Sequence, residues 1–338
     1  MQRRISFLAF LCAAGLLASP AFAKDKKPSL KKGVESKSHF GWSDCLAMQG
    51  GGARVIVAPA VGGRIVHYGL NGQNILYELP GSEGKTLANT PEGLSVGGYQ
   101  CDVGPELRGL PDHKGLWLGP YRGETPRNHT IRLTSEPDRN FGVQLEKEII
   151  FDPQTGELGL TQTMKNITNK SIAFCLWDRT LCQGGGFAFF PLKKNSRFKA
   201  GWSIRKTVSG KFVYDGTKPV SPKVKILDGV LVAEATGEST KIGADSDAGW
   251  IAYARGKVLF VKYYPYFERG NYSDGGNSVE LYWDERVAEL EPLSPEDRLL
   301  PGNSYSFPEK WTLLPLTEEV TTHEQARALV GRIPSFEF

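Results

Sequence analysis

The sequence predicts an all-β fold: mostly antiparallel strands in two packed sheets, a β-supersandwich with one short C-terminal helix. Three observations carry this reading. Short runs of strict apolar/polar alternation recur along the chain, as where Val143, Leu145, Lys147, Ile149 and Phe151 share one face against Gln144, Glu146 and Glu148. Turn formers separate these runs, with 39 glycines and 21 prolines in 338 residues. No strand–helix–strand rhythm of a parallel sheet is visible, which leaves antiparallel layers.

Residues 1–23 read as an export signal. Arg3 and Arg4 form a basic start, Ile5–Leu17 an apolar run too short for a comfortable membrane span, and Ala21-Phe22-Ala23 a cleavage site. Residues 24–40 open with five lysines and little to bury, so they are expected to be a disordered basic leader. The main domain is expected over 41–315 and a helical tail over 316–338. Exported protein in the periplasm or outside the cell is the expected destination, with no membrane segment once the signal is gone. Loss of Arg3 and Arg4 leaves 39 basic side chains against 37 acidic ones. That near-balance argues against nucleic acid as a partner.

Within the domain, Arg64–Leu70 and Asn74–Tyr77 flank Asn71-Gly72, the dipeptide best suited to a hairpin turn with two positive φ angles. Val143–Phe151, Leu158–Asn166 and Ile172–Asp178 are expected to form a three-stranded meander. Later strands are expected at Leu231–Ala235, Trp250–Ala254, Val258–Tyr264, Val279–Trp283 and Trp311–Leu314. Glu318–Val330 carries a modest apolar side and is expected to be the helix. Cys45, Cys101, Cys175 and Cys182 have no metal-finger spacing and no Cys-x-x-Cys. No cofactor or metal is expected. Cys175 and Cys182 are the nearest pair, yet Cys175 lies in an apolar strand and reads as a small buried hydrophobe.

The segment from Gly97 to Pro120 carries Asp102, Glu106, Arg108, Asp112, His113, Lys114 and Trp117 among glycines and prolines. It is expected to be a turn-rich loop lining a cleft for a polar ligand such as a sugar. The competing reading is an ordinary loop with its charges in water. On the third meander strand, Cys175, Trp177 and Arg179 share a face opposite Phe174, Leu176 and Asp178. If the latter face is core, Trp177 and Arg179 offer a stacking platform and a hydrogen-bond fork; otherwise Trp177 is plain core. Glu280 alternates with Val279 and Leu281 and faces away from the core, either as a functional group or merely solvated. His67 reads as an outward strand residue.

Three stretches in order resemble the galactose-mutarotase-like superfamily, which includes the aldose epimerases. They are Gly62–Glu78 with its Asn71-Gly72 turn, the Phe141–Asp178 region with Asn166, and Ser278–Trp283 followed by Ala288–Leu293, Pro301-Gly302-Asn303-Ser304 and Trp311. With the Gly97–Pro120 segment, the chain is similar to an exported bacterial family of that superfamily. The resemblance spans Gly41–Pro315 and implies a concave carbohydrate-binding face.

It also implies chemistry. Opening a sugar hemiacetal needs a base at the anomeric hydroxyl and an acid at the ring oxygen. By position Glu291 is similar to the family's glutamate base, with Glu289 as competitor, and His113 falls near the first family histidine. Where the second histidine belongs, the chain reads Leu176-Trp177-Asp178-Arg179, and arginine stays protonated. The catalytic candidates are thus Glu291 and His113. The ligand-binding candidates are Asp102, Glu106, Arg108, Trp117, Trp177, Arg179 and Glu280. The expected function is to bind a saccharide or glycan outside the cytoplasm, with its isomerisation or cleavage left open. A non-catalytic glycan-binding module and an envelope structural or interaction protein are the alternatives.

Overall fold

The computed structural model describes residues 30–90 and 93–338. The expected signal over 1–23 and the first part of the leader lie outside the described residues. Two antiparallel sheets face each other. The large sheet runs in spatial order from Glu35–His39 through Trp42–Gly50, Ala53–Ala58, Arg64–Leu70, Gly98–Gly104 and Ile172–Gln183. It continues through Val287–Pro292, Val279–Trp283, Thr240–Ala244 and Ser203–Val208 to Lys211–Asp215. The small sheet runs from Val224–Leu227 through Val230–Ala235, Gly186–Pro191, Trp250–Arg255 and Val258–Tyr263. Ser304–Pro315, Leu158–Asn166, Val143–Phe151, Thr130–Ser135 and Tyr121–Glu124 complete it.

One continuous core fills the space between the sheets, and it draws on both inner faces. Trp311 stands at its centre, with Tyr99 and Phe260 edge-on to it at 5.4 and 5.3 Å between ring centroids. The alternation in Val143–Phe151 is realised: its odd-numbered residues are all buried. That set includes Lys147, whose ammonium bonds the Gly62 carbonyl at 2.7 Å; burial pushes its pKa down to about 8. The C-terminal tail covers the back of the small sheet, with Leu316 and Ala326 against Phe187, Val232 and Leu259.

The Asn71-Gly72 hairpin forms as expected, with φ of 50° and 85°, although its second strand is only Gln73–Asn74. Four other expectations need correction. Strand Glu35–His39 pairs with Trp42–Gly50, so the chain is ordered before residue 40. The meander is broken at its third strand. Leu158–Asn166 pairs with Val143–Phe151 and Ser304–Pro315, whereas Ile172–Gln183 crosses to the large sheet. Asn166 makes that corner: its amide donates to the Lys170 and Leu299 carbonyls, and its oxygen accepts from Thr168. The Gly97–Pro120 segment is not a loop throughout. Gly98–Gly104 is a wholly buried central strand, and Gly104 is needed there because a Cβ would lie 2.6 Å from Cys175 Sγ. Finally, the C-terminal helix is only His323–Ala328, started by a Thr322–Gln325 capping box. All four cysteines in the described residues are free and buried.

Candidate functional site

Strand pairing brings the expected residues onto the outer face of the large sheet, the face turned from the core. Asp102 sits opposite Trp177, and Gln100 opposite Arg179. On the next strands Glu291 pairs directly with Glu280, Glu280 with Gly243, and Gly243 with Ser203. Since side chains alternate with a period of two, Glu289, Lys241 and Arg205 fall on the same face. Gly243 leaves room for the Asn277 amide, which a Cβ there would meet at 2.3 Å. That amide donates to Glu280 at 2.8 Å and accepts from Ser203 at 3.1 Å.

These side chains form one ion network. Lys241 Nζ lies 2.9 Å from Glu291, 3.1 Å from Glu280 and 3.0 Å from Glu106. Glu106 also pairs with Arg205. Trp177 donates its indole N–H to Glu291 at 2.7 Å. Arg179 lies 3.2 Å from Glu289 and 3.6 Å from Asp102, and Asp102 is bonded to His113 at 2.8 Å. The His113 ring stacks on Phe141, 4.3 Å between centroids. Asp274 accepts from the Glu106 and Leu107 amides and so anchors the short turn that presents Glu106.

The network is graded. Glu280 and Glu291 are fully buried, Lys241 is 4% exposed, and exposure rises to 20% at Arg205, 22% at Glu106 and 27% at Arg179. Burial pushes Glu291 up to about 8, with Glu289 and Glu280 adding to the rise while Lys241 and Arg179 oppose it. One of its oxygens, Oε1, is buried with no hydrogen-bond partner. Burial also disfavours the charged form of Lys241, but Glu291, Glu280 and Glu106 outweigh it and hold the ammonium well above its ordinary range. For His113, burial opposes the charged imidazole; the hydrogen bond and charge of Asp102 prevail, and the net shift is upward. The Asp102 carboxyl is lowered by that bond and by Arg179, against its own burial.

Of the nine candidate residues, seven meet here: Glu291, His113, Asp102, Glu106, Trp177, Arg179 and Glu280. Two do not. Arg108 bonds the Ala173 carbonyl at 2.7 Å and pairs with Glu296, not with a network member. Trp117, on the short helix Lys114–Leu118, packs into a separate apolar cluster with Trp42, Val66 and Val96. Trp177 is not an open stacking platform either, because Lys241 and Arg179 lie 4.4 and 4.9 Å from its ring centroid. Glu280 is enclosed instead of solvated. Asp178, one residue from Arg179, turns into the core and pairs with Lys262. Lys241 and Arg205 escaped the sequence reading; the only signal was Lys241 and Gly243 alternating with Ile242 and Ala244.

No protein-family model matches the chain, and no curated protein sequence does. Solved structures do. A candidate aldose 1-epimerase from Escherichia coli K12 aligns with a TM-score of 0.57 at 10% identity, over 80% of this chain and 99% of that one. A galactose mutarotase-like protein from Lactobacillus casei gives 0.55 at 9%, over 80% and 100%. A galactose 1-epimerase from Lactobacillus acidophilus gives 0.52 at 13%, over 85% and 100%. At these identities it is the architecture that is shared, and the chain has the galactose-mutarotase-like fold.

Proposed function

We propose that this chain binds a saccharide on the outer face of its large sheet, outside the cytoplasm. The observation that carries the reading is a rim in which Arg179, Glu106 and Arg205 are partly exposed beside the buried Glu289 and Asp102, each side chain held by an opposite charge. Sugar hydroxyls donate and accept in close alternation, and a rim of fixed guanidinium and carboxylate edges offers both without first having to be ordered. The mixed signs disfavour a polyanion. Export rests on the reading of residues 1–23, and the named epimerases share the fold. Calorimetry against a panel of neutral mono- and oligosaccharides tests the proposal. Binding should appear and weaken about tenfold or more in Arg179→Ala, as expected for hydrogen bonds to a charged group. No binding to any sugar overturns it in favour of a structural role.

A second reading, proton transfer at Glu291, is favoured by its unpartnered Oε1 and raised pKa. In mutarotation the base takes the anomeric hydroxyl proton, the bond from C1 to the ring oxygen breaks, and an acid protonates that oxygen. Glu291 would be the base and His113 the acid; Asp102, which holds His113, lies on a strand two spacings or about 10 Å from that of Glu291. A base held near 8 works only once ionised, so anomer interconversion followed by NMR should accelerate as the pH rises towards that value. Glu291→Gln should abolish turnover and leave affinity within a few-fold. Saccharide binding without turnover leaves the first reading standing alone.

A further inference from the structure

Away from the ion network, three side chains distant in sequence converge near the first strands of the large sheet. His39 ends strand Glu35–His39, and Glu78 follows the Asn71-Gly72 hairpin. His67 is aimed by a local irregularity. Ile56 pairs with His67 but Val57 with Ile65, so Val66 is an extra residue between them. This β-bulge lets Ile65 and Tyr68 both reach the core while Val66 and His67 both face outward. Without it, strict alternation from the inward Ile65 would turn His67 into the core and Tyr68 outward.

Oε1 of Glu78 lies 2.8 Å from His39 Nε2 and 3.9 Å from His67 Nδ1. The two imidazoles meet edge to face with centroids 5.5 Å apart. His67 Nδ1 is buried and has no hydrogen-bond partner. No lysine or arginine forms an ion pair with Glu78 among the described residues. The three donor atoms lie within 4.8 Å of one another, the one such grouping of three among the described residues.

We propose that His39, His67 and Glu78 bind one divalent transition-metal ion of the zinc class, with water completing the coordination. Two imidazoles and a carboxylate suit zinc, whereas magnesium and calcium take oxygen ligands. An ion about 2.0–2.1 Å from each donor in a tetrahedral site spaces the donors by roughly 3.3 Å. The present 2.8 and 3.9 Å bracket that value, so loading asks for shifts of about half an ångström. The side chains are 16–30% exposed, which leaves the ion a way in. A bound ion would tie the first strand, the bulged strand and the segment after the hairpin together. It would thereby stabilise the folded state by mass action.

The test uses untagged, chelator-treated full-length protein and zinc chloride in calorimetry, with cobalt(II) absorption as a probe of tetrahedral geometry. One equivalent should bind, magnesium and calcium should not compete, and zinc should raise the unfolding temperature. His67→Gln and Glu78→Gln should each lower zinc affinity about tenfold or more and abolish the thermal shift. Circular dichroism shows which variants fold, and either one alone suffices for the comparison. Absence of zinc binding, or zinc affinity unchanged in a folded variant, overturns the site.

Discussion

Asp178 and Arg179 are neighbours on one strand, yet they open onto two different charge clusters. Towards the core, Asp178 and Glu309 share Lys262, with Thr180, Gln162 and Trp311 supplying further hydrogen bonds. All three charged groups are fully buried. Burial, together with the Glu309 charge, pushes Asp178 well above the usual carboxylate range, so one proton balances the pair of acids against the single lysine. Outward, Lys241, Arg205, Arg179 and His113 meet five carboxylates, and exposure increases from Glu291 to the rim. Burial of charge alone therefore does not mark a site. What distinguishes the outer cluster is a continuous path from an enclosed, proton-holding carboxyl to groups that water, and hence a ligand, can touch.

The largest expected effect breaks the two apart. Lys262→Met leaves Glu309 and Asp178 enclosed without their cation, and loss of one partner of a buried pair costs about 3–5 kcal/mol. Urea unfolding should show that loss, while saccharide affinity of the folded variant stays unchanged. Arg179→Ala should do the reverse, with weakened binding and a much smaller loss of stability. If both substitutions destabilise equally and neither alters binding, the outer cluster is structural too.

The sequence made some of this legible and hid the rest for physical reasons. Asn71-Gly72 is local turn chemistry, and it reads correctly from two residues. The face shared by Trp177 and Arg179 follows from a period of two. Where Ile172–Gln183 goes does not, since its pairing partners are as distant as Gly98–Gly104 and Val287–Pro292. Local continuity suggested a meander, and the sheet switch at Asn166 depends on Leu299, 133 positions away. Lys241 carries no motif; it matters only because register sets it among Glu291, Glu280 and Glu106. Trp117 was misplaced because a five-residue helix, not a loop, decides its direction.

A smaller effect separates the clusters by pH. Glu291 is held at about 8 in the folded protein against an ordinary 4.5. Between those values the folded state keeps a proton that the unfolded state has released, so the stability this group contributes is greatest below about 4.5. It falls as the pH rises to 8, by about 1.4 kcal/mol per unit at most. Asp178, also raised, contributes with the same sign. Unfolding titrations from pH 5 to 8 should show a shallower slope in Glu291→Gln, and likewise in Asp178→Asn. Only the former should change the pH dependence of saccharide binding. A slope unaltered in Glu291→Gln would mean that Lys241 keeps that carboxyl ionised throughout this range, and anomer interconversion would then not accelerate towards pH 8.

The smallest expected effect marks the outer cluster's boundary. Arg108 belongs to the same stretch as Glu106 and His113, but it pairs with Glu296 and is 42% exposed. A partly exposed pair contributes about 0–1 kcal/mol, because water screens it and two long side chains must be held in place. Arg108→Ala should therefore cost no more than about 1 kcal/mol in urea unfolding and leave saccharide affinity within about twofold. Set beside Arg179→Ala, this variant asks whether affinity follows membership of the network or merely positive charge near it. Equal losses of affinity in the two variants would favour diffuse attraction. A loss confined to Arg179 would tie recognition to the guanidinium that Glu289 and Asp102 hold in place.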